Sequence, residues 1–199
     1  MRVRLAALAA LVALGLAGCT GGSDSPADGI VIGDGGIVQW DPGKGPELPA
    51  VSGTTLEGTK LDLASFKGDV TVVNLWGTWC GPCQEESPTL AAVAGQFPDV
   101  HFVGVDVRDS GDRTKAQKFL EKYRITYPSL DDADGSLTLA MRKVLVGAGS
   151  PPQTLVVGRD GRLVGRIAQT AEKSILVGLL QTAGVDTGSA PTPSAGASS

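Results

Sequence analysis

The sequence predicts an α/β fold with a mixed central sheet and flanking helices, on three observations. β-rich runs alternate with segments of helical spacing between residues 54 and 182. An Asp160-Gly161 turn near the end of that stretch has the signature of a hairpin, so the sheet must contain antiparallel as well as parallel neighbours. An apolar run, Val70 to Trp76, leads almost directly into the dithiol motif Trp79-Cys80-Gly81-Pro82-Cys83.

The elements follow in order. Thr54 to Leu63 reads as a hairpin turning at Glu57-Gly58, and Val70 to Trp76 as a buried strand. A helix runs from about Pro82 to Gly95, with a proline near its start, where a missing N–H costs nothing. Val100 to Val107 is a second strand. Thr114 to Tyr123 has helical spacing at Phe119, Leu120 and Tyr123, and Leu137 to Val144 is a further short helix. Strands at Thr154 to Val157 and Leu163 to Ile167 flank the turn Gly158-Arg159-Asp160-Gly161, and a helix from Glu172 to Thr182 closes the domain. The acidic stretch Asp131-Asp132-Ala133-Asp134-Gly135 lacks the spaced ligands and terminal Glu of an EF-hand, so it reads as a solvated loop before a helix.

The ends differ in composition. With 199 residues and 42% hydrophobic content, the chain has room for one domain with a full core once they are set aside. Residues 1–18 carry Arg2 and Arg4, then the apolar stretch Leu5 to Leu16, too short and wrongly flanked for a stable membrane span; they read as a secretory signal. Residues 19–45 are rich in Gly, Asp, Ser and Pro and read mostly as a flexible tether, with room for a short strand at Ile30-Val31-Ile32 or Ile37-Val38. Residues 184–199 carry one charge, Asp186, and too little apolar surface to offset ordering entropy, so they are expected to be disordered. The folded domain is thus expected at 46–183. Without residues 1–18 the chain holds 15 basic against 21 acidic side chains, a net charge of −6, which argues against nucleic-acid binding.

Two thiols three positions apart can close a disulfide across one helical turn, and a helix N-terminus favours the first of them as thiolate. Cys80 is therefore read as nucleophile and Cys83 as its resolving partner. A C-x-x-C is also half of a zinc site, but beyond this pair the chain offers only Cys19 and the single His101 as soft ligands, so no metal is expected. Trp79 is assigned to the surface beside the motif, Trp76 to packing, and His101 to a structural role.

The ending Leu16-Ala17-Gly18-Cys19 resembles a bacterial lipobox, in which cleavage precedes a cysteine that then carries lipid. That resemblance implies lipidation at Cys19 and an extracytoplasmic protein anchored to the cell membrane. The order of strands and helices around W-C-G-P-C resembles the thioredoxin fold from Pro46 to Thr182. Three stretches are similar to the membrane-anchored TlpA/ResA-type thiol-disulfide oxidoreductases: Pro46-Glu47-Leu48, Leu63-Ala64-Ser65-Phe66-Lys67-Gly68, and Val73-Asn74-Leu75-Trp76-Gly77-Thr78-Trp79. The N-terminal hairpin and the extra segment around 109–144 fit the same branch.

The resemblance implies further roles. Glu86, three residues after Cys83, stands where that branch has an acid lining a cavity near the dithiol; read from the residues alone, it is equally a first-turn acid facing water, as Glu85 is. Pro152, in Ser150-Pro151-Pro152-Gln153-Thr154, stands where the family has a cis-proline facing the active site, the residue-level alternative being a plain extended loop. Pro151 departs from the pattern, because it withholds a backbone N–H from the edge that docks substrate. Gly81 and Pro82 complete the motif and resemble the reducing end of the family.

The function so implied is reduction of substrate disulfides by a monomer without cofactors. Its electrons would come from a transmembrane thiol carrier, with apocytochrome c cysteines the family's best-known target. An oxidase that introduces disulfides into secreted proteins would use the same residues. A peroxiredoxin-type peroxidase would need Pro at 73 and Thr at 77, where Val73 and Gly77 stand. A copper-binding lipoprotein of the related kind uses C-x-x-x-C with a later histidine, and no histidine follows His101.

Overall fold

A computed structural model describes residues 29–32, 36–109 and 112–188. The expectations for residues 1–18 and Cys19, and that for the 184–199 tail beyond residue 188, lie outside these; at the start of that tail Gly184 and Val185 donate their N–H groups to the carbonyls of Gln181 and Leu180, and Val185 packs against the core. Strands β1 (Ile30–Ile32), β2 (Ile37–Gln39), β5 (Thr71–Trp76), β6 (His101–Val107), β7 (Ser129–Asp132), β8 (Gln153–Val157) and β9 (Leu163–Ile167) form one sheet in the order β1-β2-β9-β8-β5-β6-β7. β5, β6 and β7 are parallel, and the remaining neighbours are antiparallel, which makes the mixed sheet the sequence predicts. The hairpin β3 (Ser52–Thr54) and β4 (Lys60–Asp62) pairs by itself and turns at Gly58, whose φ of 87° suits a residue without Cβ.

Helices α1 (Gly81–Gln96), α2 (Arg113–Tyr123), the short α3 (Ser136–Ala140) and α4 (Lys173–Thr182) flank the sheet. The alternation of side chains along β5 divides the core. Val72 and Trp76 face Leu90 and Val93 of α1, Phe119 of α2 and Leu176 and Leu180 of α4. Val73 and Leu75 face the other way, toward Leu63, Leu137, Met141 and Val144. All six residues of β5 are buried, as befits the central strand of a sheet covered on both faces.

Three features differ from the sequence reading. Residues 30–32 and 37–39 are both strands of the main sheet, and Ile37, Val38 and Trp40 are buried, so folded structure reaches into the stretch read mostly as tether. The segment Ser129–Asp132 is the edge strand β7, with Asp132 wholly buried rather than in a solvated loop. Asp132 is drawn inward because its carboxylate accepts the N–H groups of Leu137 and Thr138 at 2.7 and 3.0 Å, capping α3. The helix expected to reach Val144 ends at Ala140 and gives way to turns.

Candidate active site

β5 delivers the chain to the site. After Trp76 the backbone turns through Gly77-Thr78-Trp79, and Cys80 becomes the N-cap of α1, its sulfur accepting the N–H of Cys83 at 3.2 Å. Pro82 lies in the first turn, where its missing N–H leaves no bond unmade. Cys80 and Cys83 form a disulfide with Cα atoms 5.2 Å apart. Both are covered, at 4% and 0% exposure, while Trp79, Gly81 and Pro82 are exposed around them.

The turn before Cys80 is pinned at four points. Asp109 accepts the backbone N–H of Thr78 at 3.1 Å and its hydroxyl at 2.6 Å. Trp79 Nε1 donates to the carbonyl of Val107 at 3.2 Å, and Gln84 Nε2 to that of Thr78 at 3.3 Å. The indole folds back over Gly77, where a Cβ would lie 2.9 Å from Nε1, so any larger residue there has to displace the indole. Trp79 is 56% exposed, as its surface assignment requires, and Trp76 is buried, stacked on Phe119.

Glu86 lies one helical turn below Cys83 on the same face of α1 and is 1% exposed. Asn74 Nδ2 donates to its Oε1 at 2.8 Å, and the N–H of Ala171 donates to its Oε2 at 2.7 Å. Burial outweighs both bonds and pushes the carboxyl up to about 7. Glu86 is thus buried rather than facing water, and it is Glu85 that faces water. Asn74 also donates to Thr154 Oγ1 at 3.1 Å, which ties β8 to the same network.

Pro152 precedes β8. Because β8 runs antiparallel to β5 with Gln153 opposite Leu75, the segment Ser150 to Pro152 lies at the end of β5 from which the dithiol turn departs. The Pro151–Pro152 peptide bond is cis. The sequence motif therefore brings Cys80, Cys83, Trp79, Glu86 and Pro152 to one end of the sheet.

Asp106 was missed by sequence reasoning. It sits opposite Trp76 in the β5–β6 register and is 3% exposed, with Oδ1 unpartnered among the described residues. Burial first, then the neighbouring Asp109, Asp131 and Asp132, push its carboxyl up to about 8. The signal was the acid inside the apolar run Phe102 to Val107. His101 stacks on Phe66 with centroids 4.2 Å apart and lies 3.2 Å from Asp69, far along β6 from the dithiol end. Among the described residues no three His, Cys, Asp or Glu side chains converge to hold a metal.

A family model described as the AhpC/TSA family matches residues 45–166. The chain belongs to this family. ResA, a thiol-disulfide oxidoreductase of Bacillus cereus, is 30% identical over 139 residues, covering 69% of this chain and 76% of ResA. The soluble secreted antigen MPT53 of Mycobacterium tuberculosis is 42% identical over 82 residues, covering 41% of this chain and 46% of the antigen. Among solved structures, a secreted thiol-disulfide isomerase from Corynebacterium glutamicum superposes with a TM-score of 0.69 at 25% identity, over 79% of this chain and 99% of its own. A secreted M. tuberculosis disulfide oxidoreductase described as homologous to E. coli DsbE shares 32% identity with a TM-score of 0.56, over 68% of this chain and 96% of that one. This AhpC/TSA-family protein is therefore a thiol-disulfide oxidoreductase with the thioredoxin-like fold, and its relatives include secreted proteins. Among the described residues no helix is long and apolar enough to cross a membrane.

Proposed function

We propose that the protein is a lipid-anchored extracytoplasmic reductant that reduces disulfides of exported proteins through Cys80 and Cys83. The observation that carries this reading is the placement of the dithiol at the start of α1 with Glu86, a carboxyl poised near 7, one turn beneath Cys83. Cys80 is the nucleophile, since its sulfur accepts the N–H of Cys83 at a helix N-terminus, which favours the thiolate.

The exchange runs in two displacements. The Cys80 thiolate attacks one sulfur of the substrate disulfide; a Cys80–substrate bond forms, the substrate S–S bond breaks, and one substrate thiolate leaves. Cys83 gives its proton to the Glu86 carboxylate and attacks the Cys80 sulfur, closing the Cys80–Cys83 bond and releasing the second substrate thiolate. Two electrons pass to the substrate, and the leaving thiolates take their protons from Glu86 and solvent. Trp79, Gly81 and Pro82 form the rim the substrate meets, and Pro152 aligns its backbone.

Leu16-Ala17-Gly18-Cys19 supports cleavage before Cys19 and lipid on that cysteine, so the domain would work at the membrane surface as a monomer. A transmembrane thiol carrier would then return it to the dithiol form, and apocytochrome c cysteines are the substrates its resemblance to ResA favours. The same residues kept oxidised would serve an oxidase of secreted proteins, and the reduction potential separates the two. The roles of the two cysteines are tested by trapping: Cys83→Ser is expected to accumulate a mixed disulfide between Cys80 and a disulfide-containing protein, and Cys80→Ser to form none. Full turnover in both variants contradicts the assignment.

A further inference from the structure

The loop between α3 and β8 is held from inside by one side chain. Gln153, the first residue of β8, is 2% exposed, and its carboxamide makes three bonds to that loop. Its Oε1 accepts the N–H of Val146 at 2.9 Å, and its Nε2 donates to the carbonyls of Val146 and Ser150, each at 3.0 Å. Only one orientation of the amide satisfies this set, because one partner is a donor and two are acceptors. Gln153 thus pairs with Val146 as a neighbouring strand would, while its own backbone pairs with Leu75 of β5.

The loop needs such a grip. Gly147 and Gly149 have φ of 57° and 73°, and Pro151 and Pro152 have no N–H to donate, so few backbone bonds of its own hold it. Val146 nevertheless leaves its side chain 43% exposed, at the end of the sheet where Trp79 is also exposed. We infer that Gln153 is a positioning residue for substrate docking: its buried carboxamide fixes the segment Val146–Pro152 as a rigid edge at the dithiol, against which a cysteine-containing peptide is aligned. This rests on the reading that Pro152 faces substrate. A substrate without a peptide backbone has nothing to align there, so the side chain governs large disulfides and is indifferent to small ones.

The test is the second-order rate at which the reduced protein opens a disulfide-closed decapeptide, compared with bis(2-hydroxyethyl) disulfide. In each reaction the dithiol becomes the Cys80–Cys83 disulfide and the substrate gains two electrons and two protons. Gln153→Ala and the volume-conserving Gln153→Met are both expected to slow the peptide by about tenfold while leaving the small disulfide within about twofold, because misalignment costs only what alignment supplied. Recovery of the peptide rate by Met, equal slowing of both disulfides, or no slowing at all overturns the inference. Pro152→Ala separates the two claims. If it slows the peptide and Gln153→Met does not, the docking edge stands and the role of Gln153 falls; if neither does, both fall. In the unaltered protein the amide hydrogen of Val146 is expected to exchange slowly, and exchange at the rate of an open loop contradicts the grip.

Discussion

Glu86 keeps its proton to about pH 7, against 4.5 for an ordinary glutamate, because desolvation exceeds what Asn74 and Ala171 return. The folded protein therefore binds more protons than the unfolded chain between these values, and its stability falls as pH rises through that window. The loss is absent below pH 4.5 and complete above 7; at roughly 1.4 kcal/mol per unit it is about 3 kcal/mol. Glu86→Gln is expected to remove it, since the Asn74 amide can turn over and take the hydroxyl proton of Thr154. Urea unfolding of the disulfide form at pH 5 and pH 8 should show the variant gaining about 3 kcal/mol on the native protein at the higher pH; parallel profiles contradict it. Asp106, raised to about 8, penalises the folded state in the same direction, so Asp106→Asn is expected to be the more stable form at pH 9. The dithiol was legible residue by residue. The burial of Glu86 was not, because an acid in a first helical turn suits water or a pocket equally, and only the chain arriving from Ala171 decides which.

At the scale of elements, the strand, turn and helix that carry the dithiol follow from local signals: a mostly apolar β5 buried along its whole length, a glycine beneath the indole of Trp79, and proline in the first turn of α1. β7 and α3 were harder, because the residue that joins them, Asp132, reads as polar surface and acts as a buried cap. Asp132→Ala removes the acceptor for two amide hydrogens and the Thr138 hydroxyl and leaves them buried. The expected loss is about 2–4 kcal/mol, measured by denaturant unfolding, with the dithiol reactivity intact. A loss below about 0.5 kcal/mol, the range of an ordinary surface change, contradicts the cap.

For the whole molecule, the order of strands and helices predicted a mixed sheet and its family, while the reach of that sheet was hidden. β1 and β2 are three residues each, short enough to read as tether; β2 is drawn into the fold by pairing with β9, and β1 by pairing with β2. A protein beginning at residue 29 keeps β1 and β2. One beginning at residue 41 loses the buried Ile37, Val38 and Trp40, and at about 1.5–3 kcal/mol each should be destabilised by roughly 5 kcal/mol or more. Equal melting of the two contradicts the part assigned to β2. The direction of electron flow also belongs to this scale, since it is a property of the pair against its partners. The measurement that tests it most directly is the equilibrium reduction potential of Cys80/Cys83 in protein lacking residues 1–19, poised against glutathione or dithiothreitol. A value near thioredoxin's, about −270 mV, is the result expected of an extracytoplasmic reductant, and one near DsbA's, about −120 mV, contradicts it and makes the protein an oxidase of secreted proteins.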